Sequence, residues 1–467
     1  MTTRAPRGRV LVLGLGRFGG GREATRFLAR RGFAMRVADK AAPETLRDSM
    51  EALRDLDIDW RVPSEDPAVL DGIDLCVVNP AIPDDNALLR AARERGIPCT
   101  QEIALFLENY PGRVVLVTGT NGKSTTTTLL AQALRKAGID TLVGGNLGHS
   151  LLADEERWSP DQCAVVEISS FQLERLDPRR HDVTGAVMTP VTRDHLDRHG
   201  SLENYRAAKA VAPALATGFY VFGADDAVAE SFATKASQRL RHRRGPWQSG
   251  DAAHVEDGWL ILDQGADPGP LCHVDALSLI GEFHHDNAMG AALAASALGA
   301  DRAAIGFALA TQKPLPFRLQ LAGLRDGVRI YDNAVSTAIE STESALDSLR
   351  GTVHWVGGGK SKEGDAGYAR CADALCKRVA SASLFGAAAP RLSEDLRARG
   401  VRVTAHQQLE QALDAALAQA RKGEALLFSP AFASFDQFTN FKARAERFHA
   451  WLGRKDQTSG SRSAAQD

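Results

Sequence analysis

The run Val114-Val115-Leu116-Val117-Thr118-Gly119-Thr120-Asn121-Gly122-Lys123-Ser124-Thr125 decides how this chain is to be read. Four β-branched or aliphatic residues give a buried strand. Two glycines then bracket a tight loop, and Thr126–Ala137 continues with helical spacing. A phosphate chain is held by backbone N–H groups that converge from such a loop and by the positive end of the helix behind it. In that arrangement Lys123 reaches β- and γ-phosphate oxygens, and the hydroxyl of Ser124 or Thr125 can ligate Mg²⁺. The longer GxxxxGK[ST] pattern needs glycine at 118, where this chain has Thr118, so the loop is a shortened variant.

Strand and helix patterns alternate on both sides of this loop. Upstream, Arg9–Leu13, a glycine turn, the helical stretch Arg22–Arg31 and the strand Phe33–Ala38 form a βαβ start, and Leu75–Val78 is a further short strand. Tyr110-Pro111-Gly112 breaks the pattern and marks a boundary. Downstream, strands are expected at Ala164–Glu167, Gly185–Met188 and Phe219–Phe222. Arg239–Gly250 reads as a basic loop or edge excursion, and Asn287–Leu298 as an alanine-rich helix. Pro314 and Pro316 mark a linker. Beyond it, strands are expected at Arg329–Tyr331, Val353–Val356, Ser383–Phe385, Val401–Val403 and Ala425–Phe428. The fold class is α/β with parallel sheets in three domains: a Rossmann-like domain over 1–111, a central P-loop ATPase domain over 112–313, and a C-terminal Rossmann-like domain over 314–455. Residues 456–467 form a polar tail.

Composition narrows the function. Over 467 residues, 56 Lys plus Arg face 58 Asp plus Glu, for a net charge of −2, so there is no bulk positive field for a nucleic acid or an anionic membrane. No apolar run reaches the roughly 18–20 residues of a membrane span, and the basic start followed by Val10–Leu15 is too short for an export signal. These observations point to a cytoplasmic protein, expected to be a monomer. The six scattered cysteines contain no CxxC pair and read as free thiols.

Three further groups carry chemistry. Gly14-Leu15-Gly16-Arg17-Phe18-Gly19, with Asp39 closing the second strand, matches the dinucleotide-binding fingerprint. By itself it admits a different class of protein, an NAD(P)-dependent oxidoreductase. Glu167-Ile-Ser-Ser-Phe-Gln172 and Asp194-His195-Leu196-Asp197 follow strands, and Tyr205–Lys209 opens a helix. A carboxylate at a strand end, as at Glu167, suits a hard cation. In the last third, Arg318 lies just past the linker, Asp332 ends a strand, and glycine-rich Gly357–Lys362 and Ser429–Phe438 follow strands.

Together these residues resemble the Mur ligase family. Gly119–Thr125, Gly145-Asn146-Leu147-Gly148, Glu167–Gln172, Asp194–Asp197, Lys209, Arg318 and Ser429–Phe441 stand in the family's order and spacing, over nearly the whole chain. Ser-Pro-Ala-Phe-Ala-Ser-Phe-Asp-Gln-Phe-Thr-Asn-Phe at 429–441 is similar to the glutamate-adding branch. The resemblance implies an ATP-dependent ligase of peptidoglycan precursor synthesis that adds glutamate, by family habit D-glutamate, to UDP-N-acetylmuramoyl-L-alanine through an acyl phosphate. It also implies two Mg²⁺ ions.

The resemblance further implies individual roles. Gly119, Thr120, Asn121, Gly122, Lys123, Ser124 and Thr125 hold ATP, with Asn287 on the adenine side and Arg318 and Asp332 as further ATP contacts. Ser124, Glu167 and His195 serve the metals, and Lys209 is the position that the family carbamylates into a metal-binding anion. Lys123, His195 and Lys209 are the catalytic group. Gly14, Gly16, Arg17 and Asp39 hold the uridine nucleotide, and Asn146 lies near the sugar-nucleotide substrate. Lys362, or Lys360 by a shifted alignment, belongs with Ser434 and Phe441 in the glutamate pocket. Three segments depart from the family pattern: Gly281–Asn287 has Phe283 and His284 at polar positions, Asp332–Ser336 lacks the usual lysine, and Asn79-Pro80-Ala81 replaces Ser-Pro-Gly.

Overall fold

The computed structural model describes residues 7–16, 19–263 and 268–454. Arg17 of the glycine turn and the tail from 456 onward lie outside the described residues.

The first sheet comprises β1 (Arg9–Leu13), β2 (Ala34–Ala38), β3 (Ile58–Arg61), β4 (Leu75–Val78) and β5 (Cys99–Thr100), in the order 3-2-1-4-5 and parallel throughout. The second runs from β6 (Arg113–Thr118) through β7 (Thr141–Gly145), β8 (Cys163–Glu167), β9 (Val183–Met188), β10 (Ala216–Gly223), β11 (Gln238–Arg243), β12 (Asp251–Glu256) and β13 (Trp259–Leu262) to β14 (Gly269–His273), ordered 14-13-12-11-10-9-6-8-7. The third holds β15 (Gln320–Arg325), β16 (Val328–Asp332), β17 (Val353–Gly358), β18 (Ser381–Phe385), β19 (Arg402–His406) and β20 (Ala425–Ala431), ordered 15-16-20-17-18-19. The chain divides into two compact units. One contains the first two sheets (Met1–Leu277 and His285–Gln312), and the other contains the third sheet together with Ser278–His284.

The β-branched runs that dictate these strands become near-continuous buried stretches, as parallel strands covered on both faces require. Val114–Thr118 is buried at every position, and so is Cys163–Glu167. The expectation of wholly parallel sheets needs correction at the edges. β12, β13 and β14 pair antiparallel, and β15 pairs antiparallel with β16. The stretch expected as a loop or edge excursion from Arg239 begins as β11, which pairs in parallel with β10; Arg241, Arg243 and Arg244 are paired with Glu230, Asp225, Asp251 and Asp286, while Arg239 donates to the carbonyls of Phe232 and Glu230. Alternating charge along β11 hid the strand, because its polar positions are paired instead of apolar. All six cysteines are free, and among the described residues no helix is long and apolar enough to cross a membrane.

β6 lies between β8 and β9, so its C-terminal loop sits over the centre of the second sheet. This is where an open α/β sheet offers a crevice. Within the same unit the first sheet is tied down by side chains. Gln101 Nε2 donates to Gln172 O at 2.7 Å, and Ser150 Oγ donates to Glu102 Oε1 at 2.5 Å. Burial pushes Glu102 up to about 7, with Ser150 opposing and Glu23 reinforcing the shift. A carboxyl raised in the folded state favours folding fully below its unfolded value near 4.5, and that contribution is lost as pH rises through about 7. Glu102→Gln, which keeps the shape and removes the titration, should therefore stabilise the protein relative to the parent by about 2 kcal/mol at pH 8 and by little at pH 4.5. Urea melts at the two pH values check the difference.

Candidate active site

The loop after β6 is built by its two glycines. Gly119 has φ 140° and Gly122 φ 87°. A Cβ on Gly119 would lie 2.0 Å from Thr189 Oγ1, and one on Gly122 would lie 2.2 Å from Asn287 Oδ1. Glycine is thus required twice, for conformation and for room. Gly122 caps the helix Lys123–Lys136, whose first N–H groups face the loop. Lys123 folds back, its Nζ donating to the carbonyls of Gly119 (3.1 Å) and Thr120 (2.7 Å). Thr120 is fixed from β9's side, donating to Thr192 O at 3.1 Å and meeting the Tyr205 hydroxyl at 2.9 Å.

The carboxylate of Glu167, at the end of β8, is the meeting point. It is 2% exposed. Ser124 Oγ donates to one oxygen at 2.5 Å and Asn146 Nδ2 to the other at 2.7 Å. Asn146 N also donates to Glu167 O at 2.8 Å, and a Cβ on Gly145 would come within 2.3 Å of that same carbonyl. The structure therefore brings Ser124, Asn146 and Glu167 together.

Lys209, on the helix Leu202–Leu215, is 2% exposed, and its Nζ donates to Thr118 Oγ1 at 2.9 Å. Burial holds it well below the usual lysine range, the nearby charge of Lys123 pushes the same way, and Asp194 and Glu167 oppose. His195 adopts φ 53°, with Nε2 3.3 Å from Asp194 Oδ2 and its ring edge-on to Phe171 at 4.9 Å. Asn287 is buried and accepts from Thr126 Oγ1 at 3.3 Å, which puts it beside Gly122.

The upstream glycine turn is a separate feature. Gly16 N donates to Asp39 Oδ2 at 3.3 Å and Ala41 N to Asp39 Oδ1 at 2.9 Å, so the carboxylate closes the turn.

In the second unit, β16, β20 and β17 are neighbours, and their C-terminal ends carry Asp332, Ser429–Ser434 and Gly358–Lys362. Lys360 and Ala433 exchange backbone hydrogen bonds at 2.8 and 3.1 Å, tying two of these loops. Ser434 is buried, Lys362 is half-buried, and Phe441, also half-buried, opens the helix Phe441–Leu452 behind the Asn440 cap. Asp332 is fully buried. It accepts from Ala334 N at 2.9 Å and Gln320 Nε2 at 3.3 Å and faces His449 Nε2 at 2.8 Å. Arg318 follows the linker and is half-buried.

Residues assigned no site role from the sequence also shape these sites. Thr118 carries the Lys209 contact, and Tyr205 braces the loop. Fully buried Arg444 donates to the carbonyls of Phe432 (2.9 Å) and Ser336 (3.0 Å). Thr118 stood at the missing glycine position, and that departure was its signal. An arginine within an amphipathic helix gives none.

A Mur ligase middle domain matches residues 117–295 and a Mur ligase glutamate ligase domain matches 317–432. The UDP-N-acetylmuramoylalanine–D-glutamate ligase of Pelotomaculum thermopropionicum is 33% identical over 95% of this chain and 96% of its own length. That of Solibacter usitatus is 33% identical over 94% and 96%. The chain belongs to the Mur ligase family. Among solved structures, a pseudomurein peptide ligase type C from Methanothermus fervidus (19% identity, 95% of this chain and all of that one, TM-score 0.60) shares the fold. So does the UDP-N-acetylmuramate–alanine ligase of Thermotoga maritima (17%, 96% and 99%, TM-score 0.61). The oxidoreductase alternative drawn from Gly14–Gly19 finds no support among these relatives.

Gly122→Ala should lower the melting temperature and weaken ATP binding at least about tenfold, through the crowded Asn287 amide and the disfavoured φ. Calorimetric titration with ATP, alongside a thermal melt, measures both.

Proposed function

We propose that this Mur ligase joins D-glutamate to the alanyl carboxylate of UDP-N-acetylmuramoyl-L-alanine, with ATP converted to ADP and phosphate. The observation that carries this reading is the end-to-end likeness to ligases of that name, at 33% identity, in a chain whose β6 runs through a glycine loop onto a helix N-terminus. A carboxylate and an amine do not condense in water unaided. An alanyl carboxylate oxygen attacks the γ-phosphorus and the bond to ADP breaks, leaving an acyl phosphate. The glutamate amine then attacks the acyl carbon and loses a proton, and phosphate departs from the tetrahedral adduct.

The first attack brings two anions together, so positive charge and oriented N–H groups must meet the phosphates. Lys123, seated on the loop carbonyls, is placed to turn onto a bound triphosphate, and the N-terminus of Lys123–Lys136 faces it. Within the second unit, the family resemblance assigns Arg318 and Asp332 to ATP and Lys362, Ser434 and Phe441 to glutamate. Gly14 and Gly16 hold the uridine nucleotide, and Asp39 closes the turn that carries them.

The donor set at Glu167 fits Mg²⁺. A buried carboxylate, a hydroxyl and an amide carbonyl are hard oxygen ligands. Among the described residues no three His, Cys, Asp or Glu side chains gather as a complete cage, so Ser124, Glu167 and His195 would hold ions shared with substrate phosphates. When bound, such ions neutralise charge on the transferring phosphoryl group. A desolvated, neutral Lys209 amine is the form that adds to CO₂, and the resulting carbamate would supply the anion missing from this set.

Released phosphate should depend on UDP-N-acetylmuramoyl-L-alanine and D-glutamate together, and L-glutamate should not replace the D form. Lys123→Ala should lower kcat by about 10²–10³-fold. Lys209→Ala should lose activity and recover part of it with added short carboxylic acids. Full activity of the Lys209 variant without such acids would remove the carbamate from the account.

A further inference from the structure

Two arginines from the second sheet's loops reach the turn after β4. Arg175 follows the short helix Ser170–Leu173, and Arg198 lies in the helix Leu196–His199. Between them they engage every carbonyl from Asn79 to Ile82. Arg175 Nη1 donates to Asn79 O at 3.0 Å. Arg198 donates to Pro80 O at 3.2 Å and Ala81 O at 3.3 Å, and both guanidinium groups reach Ile82 O, Arg198 at 2.9 Å. The N–H groups of this turn are equally committed. Asn79 N donates to Leu13 O, Ala81 N to Asn79 Oδ1 and Ile82 N to Asn79 O, and Pro80 has none. The turn keeps no backbone donor for a ligand, so its influence on one must pass through what it touches.

It touches the glycine turn. Asn79 Nδ2 donates to Gly14 O at 3.2 Å. A Cβ on Gly14 would lie 2.9 Å from both Asn79 Cβ and Ile82 Cδ1, and one on Gly16 2.8 Å from Asn79 Nδ2. Where Asn79–Ile82 sits therefore fixes where Gly14 and Gly16 sit. The other end of the clasp leads to the central site. Arg198 Nη2 donates to Glu174 Oε1 at 2.6 Å, Arg198 lies over the Phe171 ring at 5.1 Å, and that ring packs on His195. The side chains of Arg175 and Arg198 are only 10% and 12% exposed. Burying two guanidinium groups is costly unless their donors are used, and here the Nη donors are spent mainly on one turn's carbonyls, while Arg175 Nε finds no partner among the described residues.

We infer that Arg175 and Arg198 are positioning residues that set the sugar-nucleotide turn in register with the phosphate loop, so that the alanyl carboxylate arrives in line with ATP. This rests on the function proposed above. Lysine cannot replace either arginine, since one ammonium lacks the planar fork that spans several carbonyls.

The test is steady-state kinetics of the full chain carrying Arg175→Lys, Arg198→Lys or both. Each single variant should raise KM for UDP-N-acetylmuramoyl-L-alanine about tenfold, with KM for ATP and D-glutamate changed less than about twofold. The double variant should fall short of the product of the singles, as members of one clasp do. A sugar-nucleotide KM within twofold of the parent, or all three KM values rising in parallel with a lowered Tm, would overturn the inference. If Arg198→Lys does not fold, Arg175→Lys, which lies away from the His195 segment, decides alone. The parent is assayed first. Absence of turnover there would sink the functional reading, whereas a turning-over parent with insensitive variants sinks only the clasp.

Discussion

A single buried carboxylate organises the central site. Glu167 ends β8, and its two oxygens are taken by a hydroxyl from the helix after β6 and an amide from the loop after β7. Three consecutive strand-end segments are thereby pinned to one group that cannot be solvated. An anion this buried is costly unless its lone pairs are satisfied. The same demand makes it a place where a divalent cation gains most, because cation and carboxylate offset each other's desolvation.

The charges around it follow one logic. Lys123 is held on loop carbonyls and is half-buried. Lys209 is enclosed, with a threonine hydroxyl in place of a carboxylate beside it. Two positive charges in one small cradle repel, and burial, reinforced by Lys123, holds Lys209 well below the usual lysine range. The two lysines are thus held differently, one on backbone carbonyls and one on a buried hydroxyl. Thr118 makes this division possible. Its hydroxyl accepts from Lys209 while donating to Ile168 O, which a glycine at that position could not do.

Strands written in β-branched residues were legible in the sequence, because a parallel strand buried on both faces has no polar positions to confuse the pattern. Val114–Val117 and Ala425–Phe428 fall inside observed strands, and the glycine loop leads into a helix at Lys123 as its spacing predicts. β11 was not legible, since Arg241 and Arg243 are paired by Glu230, Asp225 and Asp251 and Arg239 is spent on backbone carbonyls. In the site, the glycines, Lys123, Ser124 and Glu167 announced themselves through local spacing. The partners that fix them did not. Tyr205 lies 85 residues from Thr120, and Arg444 serves carbonyls more than a hundred residues upstream. Long-range support of this kind leaves no periodic mark on a helix.

The glycine turn at Gly14–Gly19 shows why a fingerprint underdetermines a ligand. Glycines at this spacing satisfy the general need of a strand–turn–helix that receives phosphate, whichever nucleoside is attached. In a dinucleotide site the acidic residue after the second strand serves the ribose. Here Asp39 is bonded to the N–H groups of Gly16 and Ala41, so its oxygens close the turn itself. Asn79 presses on the turn from the opposite side. The turn is therefore shaped by its own carboxylate and by the neighbouring strand's loop, and both constraints act on geometry before any ligand enters. Discrimination among nucleotides must then come from the surrounding loops, and the loop after β4 is the one whose place is set from the catalytic sheet.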